Sequence, residues 1–127
     1  MNFSSATLNN TVEILVGKTD MHTLTPITVA TPVEGTVVYA GTPLTYDGEI
    51  ISNDISEFET DLANAAGILL YDVDTALNPN GTIVQSGPID GLKAITNCGI
   101  RYSSEQLLAI QAKLDNIIFR TNIGVNE

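Results

Sequence analysis

Residues 40–90 contain three phrases in a fixed order: AGTPLTYDG (40–48), NAAGILLYDVD (64–74) and NGTIVQSGPID (80–90). Each phrase combines a short apolar or β-branched run with Gly, Pro, Asn or Asp. Such runs predict short strands bounded by tight turns. None of the phrases places a nucleophile beside a base, metal ligands at a regular spacing, or a phosphate-binding loop. The centre of the chain therefore predicts β-structure and no catalytic motif.

Other strand-forming pieces lie at residues 11–16, 27–29 and 36–39. In the first of these, every second residue is Val or Ile, as expected for a strand with one apolar face. A doubly wound parallel fold would need a helix of about a dozen residues between successive strands. The first half of the chain offers no such helix between its strands, which excludes that fold class.

Two segments have helical patterns. Ser103 followed by Gln106 is a capping box that starts a helix, which we predict over residues 103–119. A shorter helix is predicted over residues 56–66, ending at Gly67. The apolar face of the later helix recurs at helical spacing and consists of Leu107, Ile110, Leu114 and Ile117.

The chain has 127 residues, which is enough for one hydrophobic core. We predict an α+β fold: a single β-rich domain of short strands with one late amphipathic helix and an extended N-terminal arm. The polar residues 1–10 are expected to form the mobile arm. Residues 11–100 form the predicted β-rich body, and residues 103–119 form the helix.

The charge balance excludes two classes of partner. The chain has 15 acidic and 5 basic residues, a formal net charge of −10. A surface this negative repels phosphate backbones and anionic lipids, so we expect neither nucleic-acid nor membrane binding. No apolar run approaches the roughly 20 residues of a membrane span. The first residues also lack the basic and apolar regions of a secretion signal, so we expect synthesis in the cytoplasm.

Cys98 and His22 are the only cysteine and histidine of the chain, and they are far apart in sequence. A nucleophilic cysteine needs a histidine and an orienting group beside it. We therefore predict that Cys98 is a small buried residue and that His22 lies in a surface loop.

Asp72 and Asp74, followed by Asn78 and Asn80, form the one cluster that resembles an ion-binding loop. A calcium loop needs six to eight oxygen ligands and usually a closing Glu, which does not arrive in range. We predict instead that these side chains accept hydrogen bonds from turn backbone.

A second acidic stretch consists of Glu49, Asp54, Glu57, Glu59 and Asp61. Two of its carboxyl groups could serve general acid–base chemistry only if burial separated their pKa values. A solvated surface is the favoured interpretation. An enzyme would need Asp72 and Asp74 to meet Asp47 or Glu49 around a metal ion. We predict no catalytic residues, no metal site and no cofactor.

In their order and rough spacing, segments 41–48, 64–74 and 82–92 resemble the head-decoration and head-fibre proteins of tailed bacteriophages. This class includes the phage lambda capsid-stabilising protein. The resemblance covers about half of the chain, and the helix over residues 103–119 has no counterpart in it.

The resemblance implies a noncatalytic protein on the outer surface of a virion. It implies that the protein binds the major capsid protein as a homotrimer and stabilises the head by bridging capsid subunits. It also implies an N-terminal arm that adds a strand to capsid β-structure. In this chain, the arm residues that suit that role are Thr7, Leu8, Val12, Ile14 and Val16.

Leu108 and Ile118 widen the apolar stripe of the predicted helix towards both of its edges. This width fits a trimer interface, and it fits a helix covered on all sides within one subunit equally well.

The alternative function is a head-fibre base or a small adhesin-like binding module that contacts a host glycan or surface protein. The tyrosines discriminate between the two functions. A cluster on one face would favour ligand binding, whereas dispersal through core and interface would favour capsid decoration. The four residues are Tyr39, Tyr46, Tyr71 and Tyr102.

Overall fold

A computed structural model describes residues 14–16, 21–32 and 35–120. It confirms the α+β fold class. The predicted mobile arm over residues 1–10 lies outside the described residues, and so does the C-terminal segment 121–127.

The described residues form seven strands and three helices. The strands are β1 (Thr23–Thr28), β2 (Val37–Val38), β3 (Pro43–Thr45), β4 (Ala65–Leu69), β5 (Val73–Asp74), β6 (Asn80–Ile89) and β7 (Ile117–Phe119). The helices are α1 (Ile55–Ala63), α2 (Gly91–Cys98) and α3 (Ser104–Lys113).

The main sheet is built around β6, its longest strand. Its antiparallel order is β1-β6-β4-β3, and β7 joins the C-terminal half of β6 in parallel. The pairs Leu24–Val84 and Ile68–Val84 flank the middle of β6, and Gly87 pairs with Ile117 further along. A separate two-stranded sheet pairs β2 with β5. The three phrases at residues 40–90 thus supply the neighbouring strands β3, β4 and β6.

Both faces of the main sheet are buried, because successive residues of a strand point to opposite sides. Ile68 and Val84 belong to a core cluster that includes Phe58 of α1 and Ile110 of α3. Leu69 belongs to a second core cluster, together with residues of the two-stranded sheet. This double burial explains why the phrase at 64–74 is almost continuously apolar rather than alternating.

The predicted start of the late helix is confirmed, and its predicted end is wrong. The Ser103 hydroxyl accepts the Gln106 amide N–H, and the Gln106 side chain accepts the Ser103 amide N–H. The helix ends at Lys113, and strand β7 follows after a short turn. Ile117 and Ile118 are β-branched and favour a strand. As a strand, this segment pairs with the edge of β6, which a helix could not do. One of the hydrogen bonds beside this pairing runs from Arg120 N–H to Ile89 O at 2.9 Å.

The two remaining helices also differ from expectation. Helix α1 starts one residue earlier than predicted, with Asp54 as its N-cap, and ends at Ala63, so Gly67 lies within β4. Helix α2 was not predicted. The Asp90 carboxylate caps it by accepting the Lys93 amide N–H. Its eight residues are too few for a clear helical periodicity. The described residues therefore contain three helices where the sequence indicated one clear and one short helix.

Residues 14–16 run beside the end of β6. The Val16 amide donates to Pro88 O at 3.1 Å, and the Asp90 amide donates to Ile14 O at 2.7 Å. The Ile14 side chain is fully buried in the core that faces the helices. These contacts fix the chain to the body at this point, which is where an N-terminal arm would begin.

Candidate functional site

The proposed capsid-binding residues divide into two groups. Thr7, Leu8 and Val12 lie outside the described residues. Ile14 is fully buried, which corrects its assignment to a capsid-contacting arm, since its side chain already packs inside the domain. Val16 is half-buried and its amide is bonded to β6.

Leu108 and Ile118 are exposed but do not share a helix. Leu108 lies on α3 and is 66% exposed, and Ile118 lies on β7 and is 58% exposed. The interpretation of a helix stripe covered within one subunit is therefore wrong for these two side chains. Exposed large apolar side chains are also found at Ile55, Leu77 and Leu92.

The four tyrosines are dispersed. Tyr102 is buried, and its hydroxyl donates to Ile51 O at 2.5 Å. Tyr46 follows β3, and its amide donates to Asn64 O just before β4 begins. Tyr39 precedes β3 and Tyr71 follows β4, so both lie at the other end of this antiparallel pair.

The Asp72–Asn80 segment has the turn geometry that the sequence predicted. Asp72 Oδ1 accepts the Ala40 amide N–H at 2.8 Å. Asp74 Oδ1 accepts the Ala76 amide N–H at 3.0 Å. Across residues 14–16, 21–32 and 35–120, no three His, Cys, Asp or Glu side chains are grouped to hold a metal ion.

The acidic stretch lies mainly at the surface. Glu49 and Glu57 are exposed and line a groove of about 920 Å³ together with Asp61 and Arg101. Asp61 is half-buried and accepts the Ser52 amide N–H at 2.9 Å. Hydrogen bonds from Ser56 lower the pKa of Asp54, the helix cap. These two carboxylates therefore hold local backbone in place.

His22 is not the surface loop residue that was predicted. Its ring is half-buried, and Nε2 donates to Pro88 O at 2.6 Å. Nδ1 is buried and has no hydrogen-bond partner among the residues that the structure describes. No sequence pattern indicates the contact with Pro88, because Pro88 is 66 residues away from His22. Gly87 allows the close approach because it lacks a Cβ.

Cys98 is buried, as predicted, and its thiol donates to Ile95 O at 3.2 Å. Burial raises the pKa of the Cys98 thiol, which opposes formation of a nucleophilic thiolate. The environment of this cysteine is that of a packed core residue.

No protein-family model, no curated protein and no solved structure matches this chain. No helix in the described segments is both long and apolar enough to cross a membrane. The placement of the side chains therefore carries the functional argument below.

Proposed function

We propose that this protein is a noncatalytic decoration protein of a phage head. It binds the outer surface of the capsid as a homotrimer and stabilises the head by bridging major capsid subunits. The observation that carries the proposal is the exposure of Leu108 and Ile118 on regular secondary structure. Fully burying one such side chain in a subunit contact contributes about 1.5–3 kcal/mol.

The resemblance in residues 40–90 supports the same proposal. Its three phrases supply strands β3, β4 and β6, which lie side by side in the main sheet. The phrases therefore correspond to one continuous structural unit.

The N-terminal arm has a fixed starting point in this proposal. Ile14 is buried and its carbonyl accepts the Asp90 amide, so the chain is fixed to the body at Ile14. Thr7, Leu8 and Val12 precede that anchor and remain the proposed capsid contacts. Three arms on one trimer strengthen binding because the second and third contacts form at high effective concentration.

Co-sedimentation with expanded, undecorated heads of the phage that encodes the chain tests the proposal. We expect the full chain to sediment with the heads and a chain lacking residues 1–10 to bind at least about tenfold more weakly. Failure of the full chain to bind these heads would overturn the proposed function. Equal binding by both chains would overturn the role of the arm alone.

The alternative, a head-fibre base or adhesin-like module, would be favoured by tyrosines clustered on one face. Tyr102 lies in the core and Tyr46 lies at the opposite end of the β3–β4 pair from Tyr39 and Tyr71, so the four do not form one cluster. The observation that still supports the alternative is the placement of Tyr39 and Tyr71, both exposed, at one end of the β3–β4 pair.

A further inference from the structure

The pairing between β4 and β6 is short. The ladder that joins these strands ends at the pair Ile68–Val84. The same register would bring Gly67 opposite Gln85, and then Ala66 opposite Ser86, but these residues are not paired. Ala66 and Ser86 line a cavity of about 480 Å³. The end of this ladder therefore borders a cavity with room for a ligand.

Two β-bulges lie at this cavity. Ala66 is an extra residue of β4, between the residues that pair with Leu44 and Thr45. Gln85 is an extra residue of β6 relative to β1. Both line the cavity. Bulges redirect side chains and are over-represented beside functional sites, so their coincidence here points to a built site.

The polar lining has unused hydrogen-bonding capacity. Gln85 Oε1 accepts the Thr25 hydroxyl, which orients the amide and leaves its nitrogen as a donor. Lys113, Asp115 and Asn116 approach from the end of α3. Within the described residues, no protein group forms a hydrogen bond with the side chains of these last three. The cavity therefore presents donors and acceptors to a ligand.

Tyr46 adds an aromatic surface to this lining. It is 69% exposed, yet its backbone is fixed. The Tyr46 amide donates to Asn64 O at 3.0 Å, and the turn is closed by Gly48 N–H to Thr45 O at 2.9 Å. Gly48 has φ +81°, and a Cβ there would lie 1.9 Å from Thr28 O, so only glycine suits this turn. The ring is thus displayed from a preorganised position.

We propose that this cavity binds one neutral sugar unit of a glycan. The apolar face of a pyranose ring packs on Tyr46, and its hydroxyls bond with Gln85, Asp115 and Asn116. The charges of Lys113 and Asp115 cancel. The C-terminal end of α3 and the net charge of −10 both disfavour an anionic ligand. This inference goes beyond capsid decoration and does not rest on it.

NMR titration of the full ¹⁵N-labelled chain tests the inference with three neutral probes. These are methyl α-D-glucopyranoside, methyl β-D-galactopyranoside and methyl N-acetyl-β-D-glucosaminide. N-acetylneuraminic acid serves as the anionic probe and L-asparagine as the zwitterionic one. We expect at least one neutral probe to shift the side-chain amide signals of Gln85 and Asn116, with a Kd of about 1–10 mM for a single sugar unit.

Two matched pairs of variants localise the binding. Tyr46→Ala should weaken it about tenfold, whereas Tyr71→Ala, which removes an exposed ring elsewhere, should leave it unchanged. Ala63→Trp should block the cavity, which Ala63 lines, while Ala112→Trp on the exposed surface of α3 should not. Thermal melts of all four variants establish that each is folded.

Three outcomes would overturn the inference. The first is the absence of shifts with every neutral probe. The second is tighter binding of the anionic or zwitterionic probe than of all neutral ones. The third is binding that survives both Tyr46→Ala and Ala63→Trp. Capsid binding by the same preparations is a separate measurement, so failure of one proposal does not imply failure of the other.

Discussion

At the scale of single residues, Tyr102 joins two parts of the core. Its buried hydroxyl donates to Ile51 O, which lies between β3 and α1. Burial raises the pKa of the Tyr102 phenol, and nearby Cys98 and Asp61 act in the same direction. The phenol therefore stays protonated in the folded chain at pH values where an unfolded chain has begun to ionise.

Tyr102→Phe should lower the free energy of unfolding at pH 7 by about 1–3 kcal/mol, because it leaves the Ile51 carbonyl without its partner. The substitution should also make the decrease in stability at alkaline pH smaller. The folded pKa lies above the ordinary value of about 10, so the protein loses stability as pH rises past that value. Urea unfolding at pH 7 and at about pH 10.5 measures both effects.

Tyr71→Phe is the matched control, because Tyr71 is 53% exposed and Tyr102 is buried. Tyr71→Phe should change the free energy of unfolding by no more than about 0.5 kcal/mol, both at pH 7 and at about pH 10.5. An alkaline loss in Tyr102→Phe as large as that of the unchanged chain would contradict the role given to the phenol.

At the scale of elements, the capping box fixes where α3 begins. The Ser103 hydroxyl accepts the Gln106 amide N–H at 3.1 Å, and Gln106 Oε1 accepts the Ser103 amide N–H at 2.9 Å. Gln106 Nε2 also donates to Asn53 O, which connects this helix start to the segment before α1.

Ser103→Ala should therefore lower the free energy of unfolding by about 1 kcal/mol, because the Gln106 amide N–H at the helix start loses the hydroxyl that accepts its hydrogen bond. Ser104→Ala is the control: it is the next residue, it lies inside the helix, and alanine is the better helix former. Thermal and urea unfolding of both variants measure the difference. Equal stability of the two variants would show that the cap contributes nothing.

The sequence predicted the elements that rest on local chemistry. The capping box at Ser103 and the strands of the phrases at 40–90 belong to this group. The sequence did not predict elements that depend on pairing with a distant part of the chain, such as β7. Ile117 is buried whether it continues a helix or enters a strand, so its spacing cannot distinguish the two. The parallel partner of β7 is Gly87–Ile89, some 30 residues away in the chain.

The cavity was beyond prediction for the same reason. Tyr46 and Gln85 lie within the phrases that were singled out, but nothing in them indicates a bulge. A bulge is a property of the register between two strands and not of either strand alone. Lys113, Asp115 and Asn116 reach the cavity because α3 stops at Lys113. The predicted longer helix would have placed them differently.

At the scale of the whole molecule, charge and apolar exposure act in opposite directions on assembly. Each chain carries a net charge of −10, so association of three chains is opposed by mutual repulsion. Leu108 and Ile118 favour association because contact removes their side chains from water. The proposed trimer should therefore be weakest at low ionic strength, where screening is least.

Light scattering across a range of concentrations tests this balance. At 0.3 M salt we expect a species near three times the 13.5 kDa chain mass, dissociating on dilution into about 10 mM salt. Leu108→Glu and Ile118→Glu should each shift the protein to monomer, because each buries a charge at the contact. Leu77→Glu is the control, since Leu77 is exposed on a different part of the chain. A monomer at every concentration and salt would contradict a trimer in solution, and trimers unaffected by both substitutions would place the interface elsewhere.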